Sequence, residues 1–446
     1  MILETFSDGE RLGVGEGTWM VFHPREGWNG RKRSPWDRPM SRRRMIRLSA
    51  SAVITAQLLA ACGDSSSGSS SSSAVKIGTP EDPIEQPLFD DNPAIESDLQ
   101  PEDGPLKIFN WADYLWPRVI NDFSEEFGVE VELTTFYNME EATRKLRTGD
   151  LNFDVFFPTA EVLPKFVAGK LLQPLNHDYL PNLSGNVWEE LQDPYFDVGS
   201  RYTVPYTVYQ TGIGWRTDIV DADIESMDNP WDVFWDPSYK GQVGLYDDFR
   251  ETVGVGLYRS DINNINTGRQ ADLDKARDAL MELADLVNVR YTIDGAYAGM
   301  PESKFGLHHA WSGDVVGAQY YFPKGEDASV LRWMWPPKSE ASTAGGYVSN
   351  DSLAITRDAE NPVLAHMFIN YLLDSKVALK NFGWLGYQPP LESIDPAQLV
   401  SEGYVPENLS SAIIAKEDFG LGQVPVQLPP NVERMWLDTW SQVQSG

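Results

Sequence analysis

Two groups in the sequence combine acidic and aromatic side chains of the kinds that bind a cation. Trp111, Asp113 and Tyr114 form one such group, and Trp311 precedes Asp314 in the other. The face of a Trp or Tyr ring attracts a cation, and a carboxylate accepts charge-assisted hydrogen bonds from one. Both groups therefore indicate contacts to a positively charged ligand. Each also has a structural interpretation, since Asp is common at helix starts and in turns.

Four further acidic positions need an interpretation. Asp248 and Glu251 are three residues apart, which places them on one face of a helix. Negative charge is also favourable at a helix N-terminus, and we assign only this role to Asp247. Asp351 lies in an extended stretch where a buried carboxylate needs a partner. We regard Asp351 as the strongest single candidate for an ion pair with a ligand.

The sequence carries no recognised catalytic signature. It has no Gly-x-Ser-x-Gly elbow, no His-Glu-x-x-His pair and no phosphate loop. Gly254 and Gly256 lack the third glycine of a dinucleotide-binding turn. His308 and His309 are adjacent, and adjacent strand residues face opposite ways, which disfavours chelation of one metal. We therefore expect a binding protein, not an enzyme, with no metal and no cofactor.

The charge balance narrows the classes of partner. The 446-residue chain has 36 Lys and Arg against 66 Asp and Glu, a formal net charge of −30. Nucleic-acid binding needs a basic surface, so we expect no nucleic-acid partner, whereas cationic ligands are compatible. A hydrophobic share of 41% can fill ordinary soluble cores. The length suits two domains, or one two-lobed unit with tails.

The N-terminal region has the layout of an export signal. A basic cluster at 41–47 precedes a short apolar stretch that ends at Cys62, the only cysteine. The stretch is too short for a comfortable membrane-spanning helix. Its end resembles the bacterial lipobox, and the basic cluster resembles a twin-arginine signal. We expect residues 1–61 to be an upstream extension and a signal, and Cys62 to carry a lipid anchor.

The remaining chain divides into a predicted tether and a folded body. Ser, Gly, Pro and acidic residues dominate 62–105, a composition typical of a flexible tether with a reach of roughly 40 Å. Strand-like and helix-like stretches then alternate, which predicts an α/β fold. In such folds ligands bind at the carboxyl ends of the strands. The extended stretches 202–215 and 346–355 are candidates for hinge strands.

Several short segments, taken in order, resemble the spermidine/putrescine-binding proteins of ABC importers. The matching segments are 108–114, 153–159, 204–206, 239–241, 247–251, 311–314, 351–354 and 386–387. The resemblance implies the two-lobed periplasmic binding protein type II fold, each lobe a mixed sheet flanked by helices, with a ligand cleft between the lobes. It implies lobe 1 at 106–211 plus 352–395 and lobe 2 at 212–351 plus 396–446.

The resemblance also implies a function and a set of binding residues. A periplasmic or extracytoplasmic monomer would bind a polyamine by hinge closure and deliver it to the membrane permease of an ABC importer. Lipidation at Cys62 would hold it at the membrane. The implied ligand-binding residues are Trp111, Asp113, Tyr114, Thr159, Asp248, Glu251, Trp311, Asp314, Asp351 and Tyr387.

Two positions depart from the family pattern, and other ligands stay open. Ser349 stands where the family often has an aromatic wall, for which Tyr347 is a possible substitute, and Glu161 stands where a polar or aromatic residue is usual. Tyr320 and Tyr321 resemble the adjacent tyrosines that bind iron in related two-lobed proteins. Ferric iron, another cationic metabolite and a cleft enzyme are therefore the alternatives, in that order.

Overall fold

The computed structural model describes residues 19–22, 76–148, 152–336 and 345–445. The predicted export signal, Cys62 and the Ser/Gly run that follows it lie outside these residues. Within them, no helix combines the length and apolar character needed to cross a membrane.

The strands are numbered in chain order. They are β1 Trp19–Phe22, β2 Leu106–Trp111, β3 Val131–Phe136, β4 Val155–Phe156, β5 Leu172–Gln173, β6 Thr203–Arg216, β7 Val243–Leu245, β8 Arg290–Tyr291, β9 Leu307–Trp311, β10 Leu331–Met334 and β11 Tyr347–Thr356.

The described α-helices are numbered in the same way. They are α1 Pro117–Phe127, α2 Met139–Thr148, α3 Leu163–Ala168, α4 Pro181–Asn186, α5 Glu189–Gln192, α6 Phe249–Arg259, α7 Gln270–Val287, α8 Ser312–Gly317, α9 Pro362–Leu372, α10 Ser375–Leu385, α11 Pro396–Ser401 and α12 Pro430–Ser445.

Two long antiparallel strands occupy the centre of the sheet. Its order is β1-β3-β2-β4-β11-β6-β9-β7-β8, with β10 also paired to β6 and β5 to β11. On one side β2 pairs in parallel with β3 and β4, and on the other side β7 pairs in parallel with β8 and β9. We call these sides the first and second lobes. This mixed α/β architecture is the two-lobed type II fold, which confirms the predicted fold class.

Strand β6 joins the two lobes because its two halves have different neighbours. Residues 203–211 pair with β11, whereas Thr211–Trp215 pair with β9. At 14 and 10 residues, β6 and β11 are long enough to run from one lobe towards the other. Their positions confirm that the two extended stretches singled out in the sequence are strands.

Helix α1 follows the loop after β2, and its ends are determined by the local sequence. Pro117 occupies its first turn and Gly128 ends it with φ 69°. Val119, Ile120 and Phe123 are buried along one face, at the spacing of an amphipathic helix. The loop between β2 and α1 is therefore held at both ends by packed elements.

The buried apolar residues form three clusters. The largest runs through both lobes and includes Ile108 and Val315. The second belongs to the second lobe and surrounds Trp231 and Trp436, and the third packs around Phe109 in the first lobe. Each lobe therefore has apolar packing of its own in addition to the shared core.

Residues 76–105 correct the tether prediction. Ile84 is buried, the Gln86 side chain donates a hydrogen bond to the Phe196 carbonyl at 2.7 Å, and the Asn92 side chain donates to the Leu172 carbonyl at 2.8 Å. The segment is thus packed on the first lobe, and the prediction of a flexible tether as far as residue 105 is wrong. Composition describes average solubility and misses single anchoring side chains. The predicted lobe boundaries stay predictions.

Strand β1 is a second departure from the expected organisation. Trp19–Phe22 pairs antiparallel with Val131–Thr134 of β3, in a part of the chain expected to be only an extension and a signal. Without this pairing, β3 would be the edge strand of the sheet.

Candidate functional site

A cavity of about 220 Å³ lies where the two lobes and the central strands meet. The carboxyl ends of β2 and β9 contribute to it, as do the segments that follow β4 and β7, which is the location expected for an α/β sheet. Every ligand-binding residue predicted from the sequence lines this cavity: Trp111, Asp113, Tyr114, Thr159, Asp248, Glu251, Trp311, Asp314, Asp351 and Tyr387.

Asp351 lies on β11 and keeps one carboxylate oxygen unpaired. Its Oδ2 accepts a hydrogen bond from the Tyr114 hydroxyl at 2.7 Å, and that hydroxyl lies 2.5 Å from Thr207 Oγ1. Its Oδ1 is buried and has no hydrogen-bond partner among the described residues. Burial raises the pKa of Asp351 to about 7, against a favourable hydrogen bond from Tyr114. Asp351 is therefore a cavity-lining residue with one unsatisfied buried acceptor.

Glu251 lies in the first turn of α6 and has a similar environment. Its Oε1 accepts hydrogen bonds from Trp311 Nε1 at 2.7 Å and from Thr211 Oγ1 at 3.2 Å. Its Oε2 is buried, lies 3.4 Å from His309 Nε2 and makes no hydrogen bond there. Burial lowers the pKa of His309 to about 3, so the imidazole supplies no charge, and burial raises the pKa of Glu251 to about 7. Glu251 is a second unsatisfied acceptor.

Asp314 differs because two phenols already occupy its carboxylate. The Tyr246 hydroxyl donates to Oδ2 and the Tyr387 hydroxyl donates to Oδ1, each at 2.7 Å. Burial raises the pKa of Asp314 to about 7, opposed by these two hydrogen bonds. Asp314 therefore holds the wall residue Tyr387 and also Tyr246, the ring on which the wall residue Trp311 stacks.

Asp248 is the N-cap of α6. Its Oδ1 accepts hydrogen bonds from the backbone N–H groups of Arg250 at 2.8 Å and Glu251 at 3.0 Å. The capping role that the sequence analysis gave to Asp247 therefore belongs to Asp248, and Asp247 instead accepts a hydrogen bond from Gln444 at 3.0 Å. An Asp at this position with Glu three residues later resembles a capping box, yet Glu251 turns towards Trp311.

Aromatic rings form the walls of the cavity. Trp311 stacks on Tyr246 with 3.9 Å between ring centroids, and Tyr114 meets Tyr387 edge-on at 5.0 Å. Gly313 makes the second arrangement possible, because a Cβ atom there would lie 2.3 Å from the Tyr387 ring. These contacts fix the rings before a ligand arrives.

Asp113 and Thr159 line the cavity from the first lobe. Asp113 is exposed and has a left-handed backbone with φ 53°, a conformation that Asp tolerates better than most residues. Thr159 bridges to Asp351 through the backbone, and its hydroxyl donates to Glu161 Oε1 at 2.7 Å. Both residues thus line the cavity, and the Thr159 hydroxyl is already bonded to Glu161.

Sequence reasoning missed Tyr209 and Tyr297 as wall residues. Both line the cavity, and the Tyr209 ring lies 6.2 Å from the Trp311 ring. Tyr209 sits in the long strand β6, and an alternating Tyr in a hinge strand was the available signal. Tyr347, the suggested substitute for a wall at position 349, also lines the cavity, and its hydroxyl donates to the Arg250 carbonyl.

The residues considered for metal binding do not converge. Tyr321 lines the cavity while Tyr320 is 39% exposed, and His308 and His309 are both buried in β9. Across 19–22, 76–148, 152–336 and 345–445, no group of three or more His, Cys, Asp or Glu side chains is placed to hold a metal ion.

Two cations also reach the cavity, and both are engaged. Lys165 of α3 forms an ion pair with Glu433 of α12, so this pair connects the first lobe to the C-terminal helix. The Arg250 guanidinium donates to the carbonyls of Val426 and Ile265. Neither group is hydrogen-bonded to Asp351 or Glu251 in the described contacts.

Comparison with known proteins places this site in a family. The family model for bacterial extracellular solute-binding proteins matches residues 118–404, well over half of the chain. The chain belongs to this family. Its members bind solutes, which agrees with a cavity built from unpaired acceptors and aromatic walls.

Individual relatives of this solute-binding protein carry more specific names. It is 26% identical over 355 residues to the putrescine/agmatine-binding protein of Pseudomonas aeruginosa, a match that covers 76% of this chain and 92% of that protein. It is 28% identical over 290 residues to the spermidine/putrescine-binding periplasmic protein of Escherichia coli, which covers 65% and 78% of the two chains.

Solved structures agree on the architecture of this solute-binding protein. A Listeria monocytogenes protein named for a spermidine/putrescine ABC transporter matches with 26% identity and a TM-score of 0.65, over 76% of this chain and 98% of that one. A substrate-binding protein of such a transporter from Streptococcus pneumoniae matches with 24% identity and a TM-score of 0.60, over the same shares.

Proposed function

We propose that this protein is the extracytoplasmic substrate-binding component of an ABC importer and that its ligand is a polyamine of the putrescine or spermidine kind. The observation that carries the proposal is the pair of buried carboxylates, Asp351 and Glu251, which line the same aromatic cavity and each keep one buried oxygen without a hydrogen-bond partner among the described residues. The names of the relatives support the same ligand class.

The chemistry of a polyamine matches this arrangement. Its ammonium groups supply donors for the unpaired oxygens Asp351 Oδ1 and Glu251 Oε2, and its methylene stem packs against the aromatic walls. A hydrogen bond to a charged group contributes about 1.5–3 kcal/mol, and a desolvated cation–π contact adds up to about 2 kcal/mol. A few such contacts suffice for a micromolar affinity of about −8 kcal/mol after the cost of association.

Hinge closure follows from where the two acids are anchored. Asp351 falls at the end of the predicted lobe 2, but its carboxylate bonds to Tyr114 and its backbone is bridged to Thr159, both of the first lobe. Glu251 belongs to α6 of the second lobe. A ligand that bonds to both acids stabilises the arrangement in which the lobes are close. The permease then distinguishes the loaded protein from the empty one by this closed arrangement.

We further propose export and membrane anchoring for this chain. The support is the basic and apolar run that ends at Cys62, together with the word periplasmic in the name of the Escherichia coli relative. Substitution Cys62→Ser is expected to move the protein from the membrane fraction to the soluble extracytoplasmic fraction. Retention of the variant in the membrane fraction would contradict lipidation at this residue.

A ligand screen tests the proposed class. The purified protein is mixed with putrescine, spermidine, basic amino acids, betaine and ferric citrate, and its thermal unfolding is followed. A saturable rise in Tm with a polyamine is expected, because a ligand that binds only the folded state stabilises it by about 2.7 kcal/mol at a hundred times Kd. A response to ferric citrate or betaine alone would overturn the ligand assignment and leave the fold in place.

A further inference from the structure

Glu161 is a third acid in the cavity, at a position where the sequence departs from the family pattern. It lies in the short 3₁₀ turn Ala160–Val162 after β4 and is half-buried. Thr159 Oγ1 donates to its Oε1 at 2.7 Å, which fixes the carboxylate. Its Oε2 is buried and has no hydrogen-bond partner among the described residues.

The three unpaired oxygens belong to one neighbourhood. Thr159, which holds Glu161, is bridged to Asp351. Tyr209 lies among the acids, since burial and then the charges of Asp351, Glu161 and Glu251 raise the pKa of its phenol. Asp351, Glu251 and Glu161 therefore line one cavity, and each has one buried carboxylate oxygen without a hydrogen-bond partner among the described residues. Two of the three side chains are only 7% exposed.

The nearby cations leave this negative charge largely uncompensated. Lys165 is bound to Glu433, and Arg250 donates to main-chain carbonyls and to the Asn266 side chain. The charge of Arg250 lowers the pKa of Glu251, but this effect is smaller than the raising effects of burial and of the Glu161 charge. A ligand with two ammonium groups would leave one of the three acids without a partner.

We propose that Glu161 forms a third cation subsite, which makes this cleft prefer a linear triamine with three protonated nitrogens over a diamine. This inference rests on the proposed polyamine function and deepens it. The preference is a difference between two binding free energies: the triamine pairs all three oxygens, whereas the diamine leaves a desolvated carboxylate unpaired.

The test compares ligands that differ in charge count on matched variants. Calorimetric titrations measure Kd for putrescine, spermidine and N-acetylated spermidine, which keeps the carbon–nitrogen backbone of spermidine but carries one charge fewer and an added acetyl group. Wild-type protein is expected to bind spermidine about tenfold more tightly than either ligand with two charges, the scale of one hydrogen bond to a charged group. Glu161→Gln keeps the acceptor for Thr159 and is expected to remove most of that preference, with Kd for putrescine changed less than about threefold.

Glu140→Gln is the control, because Glu140 lines the same cavity but has an exposed side chain. It removes the same charge and is expected to leave the preference between ligands intact. Equal losses for putrescine and spermidine in Glu161→Gln, or no loss for either, would overturn the third subsite while polyamine binding stands. If no amine binds the wild-type protein, the polyamine function itself fails, and the subsite fails with it.

Discussion

Two pairs of acidic side chains line the same cavity and have similarly raised pKa values, but their hydrogen-bond partners differ. Asp351 and Glu251 each retain an unpaired oxygen, whereas Asp314 bonds to two phenols and Asp248 bonds to two backbone N–H groups. Burial raises the pKa of all four side chains to about 7. The raised pKa therefore reports burial, and only the hydrogen-bond partners separate a binding acid from a structural one.

The difference has an energetic consequence for the empty protein. A buried carboxylate that bonds to protein donors stabilises the elements that carry those donors. A buried carboxylate oxygen without a donor destabilises the fold until a cation arrives. We therefore call Asp351 and Glu251 the open acids, and Asp314 and Asp248 the closed acids. The open acids should control affinity, and the closed acids should control stability.

Removing the charge of an open acid should have the largest effect. We expect Asp351→Asn to weaken polyamine binding by about 2–5 kcal/mol, because an ammonium group then faces a neutral amide in a buried site. The amide oxygen still accepts from Tyr114, so the Tm of the unliganded protein should stay unchanged or rise. Calorimetric titration and thermal unfolding of the same sample measure both quantities.

Asp247→Asn is the matched control for that substitution. Asp247 lines the cavity and its carboxylate bonds to Gln444, an interaction that an amide oxygen preserves. This variant should bind with nearly wild-type affinity. Wild-type affinity in Asp351→Asn would show that the unpaired oxygen on β11 does not contact the ligand.

Removing a closed acid should lower the stability of the protein. We expect Asp314→Ala to lower the free energy of unfolding by about 2–3 kcal/mol, since the hydroxyls of Tyr246 and Tyr387 both lose a buried acceptor. The measurement is urea unfolding of the unliganded protein. Asp314→Asn keeps an acceptor for one hydroxyl and should lose less, whereas equal affinity losses in Asp314→Asn and Asp351→Asn would remove the distinction between the two kinds of acid.

The pH dependence of ligand stabilisation should separate the two kinds of acid in the wild-type protein. The pKa of Asp351 rises from 3.8 and that of Glu251 from 4.5, both to about 7 in the folded chain. Their contribution to the stability of the empty protein is therefore fully present below the ordinary pKa values and is lost as the pH rises through 7. A bound polyamine favours the ionised forms and reverses this loss.

We accordingly expect the stabilisation by a saturating polyamine to grow from pH 5 to about pH 7, by about 1 kcal/mol per pH unit for each open acid, and to level off by pH 8 because both acids are then ionised in the empty protein as well. Thermal unfolding with and without ligand across this range measures it. Asp351→Asn should reduce the slope, and Asp314→Asn should leave it nearly unchanged. A ligand effect that is constant from pH 5 to pH 8 would contradict the assignment of the open acids.

The ligand-binding residues that the family resemblance implies all line one cavity, and several of them lie at the ends of strands or helices. Trp311 and Asp314 stand where β9 passes into α8, and Trp111 ends β2. The hydrogen-bond partners of these side chains could not be predicted in this way. Asp314 bonds to residues 68 and 73 positions away, so its closed character depends on tertiary contacts that no local pattern contains.

The fold shows the same division between local and long-range information. The two central strands agree to within one residue with the extended stretches 202–215 and 346–355 singled out in the sequence. The predicted tether failed at 76–105, where the anchors Gln86 and Asn92 bond to residues 110 and 80 positions away. A composition average does not contain such contacts.

The smallest expected effect concerns Asp248, the other closed acid. We expect Asp248→Ala to lower the free energy of unfolding by about 1 kcal/mol, the usual loss when an N-cap side chain is removed. Urea unfolding measures this change. Because the cap also positions the backbone of Glu251, polyamine affinity should fall only a few-fold in the same variant.

Asp248→Asn decides whether this cap also binds ligand, because Asn caps a helix about as well as Asp while carrying no charge. If Asp248 is a closed acid, the Asn variant restores both stability and affinity to nearly wild-type values. If stability returns while affinity falls as far as in Asp351→Asn, the carboxylate of Asp248 contacts the ligand cation directly. In that case two hydrogen bonds from the backbone do not exclude an acid from binding, and an unpaired oxygen ceases to be the criterion that distinguishes the acids of this cleft.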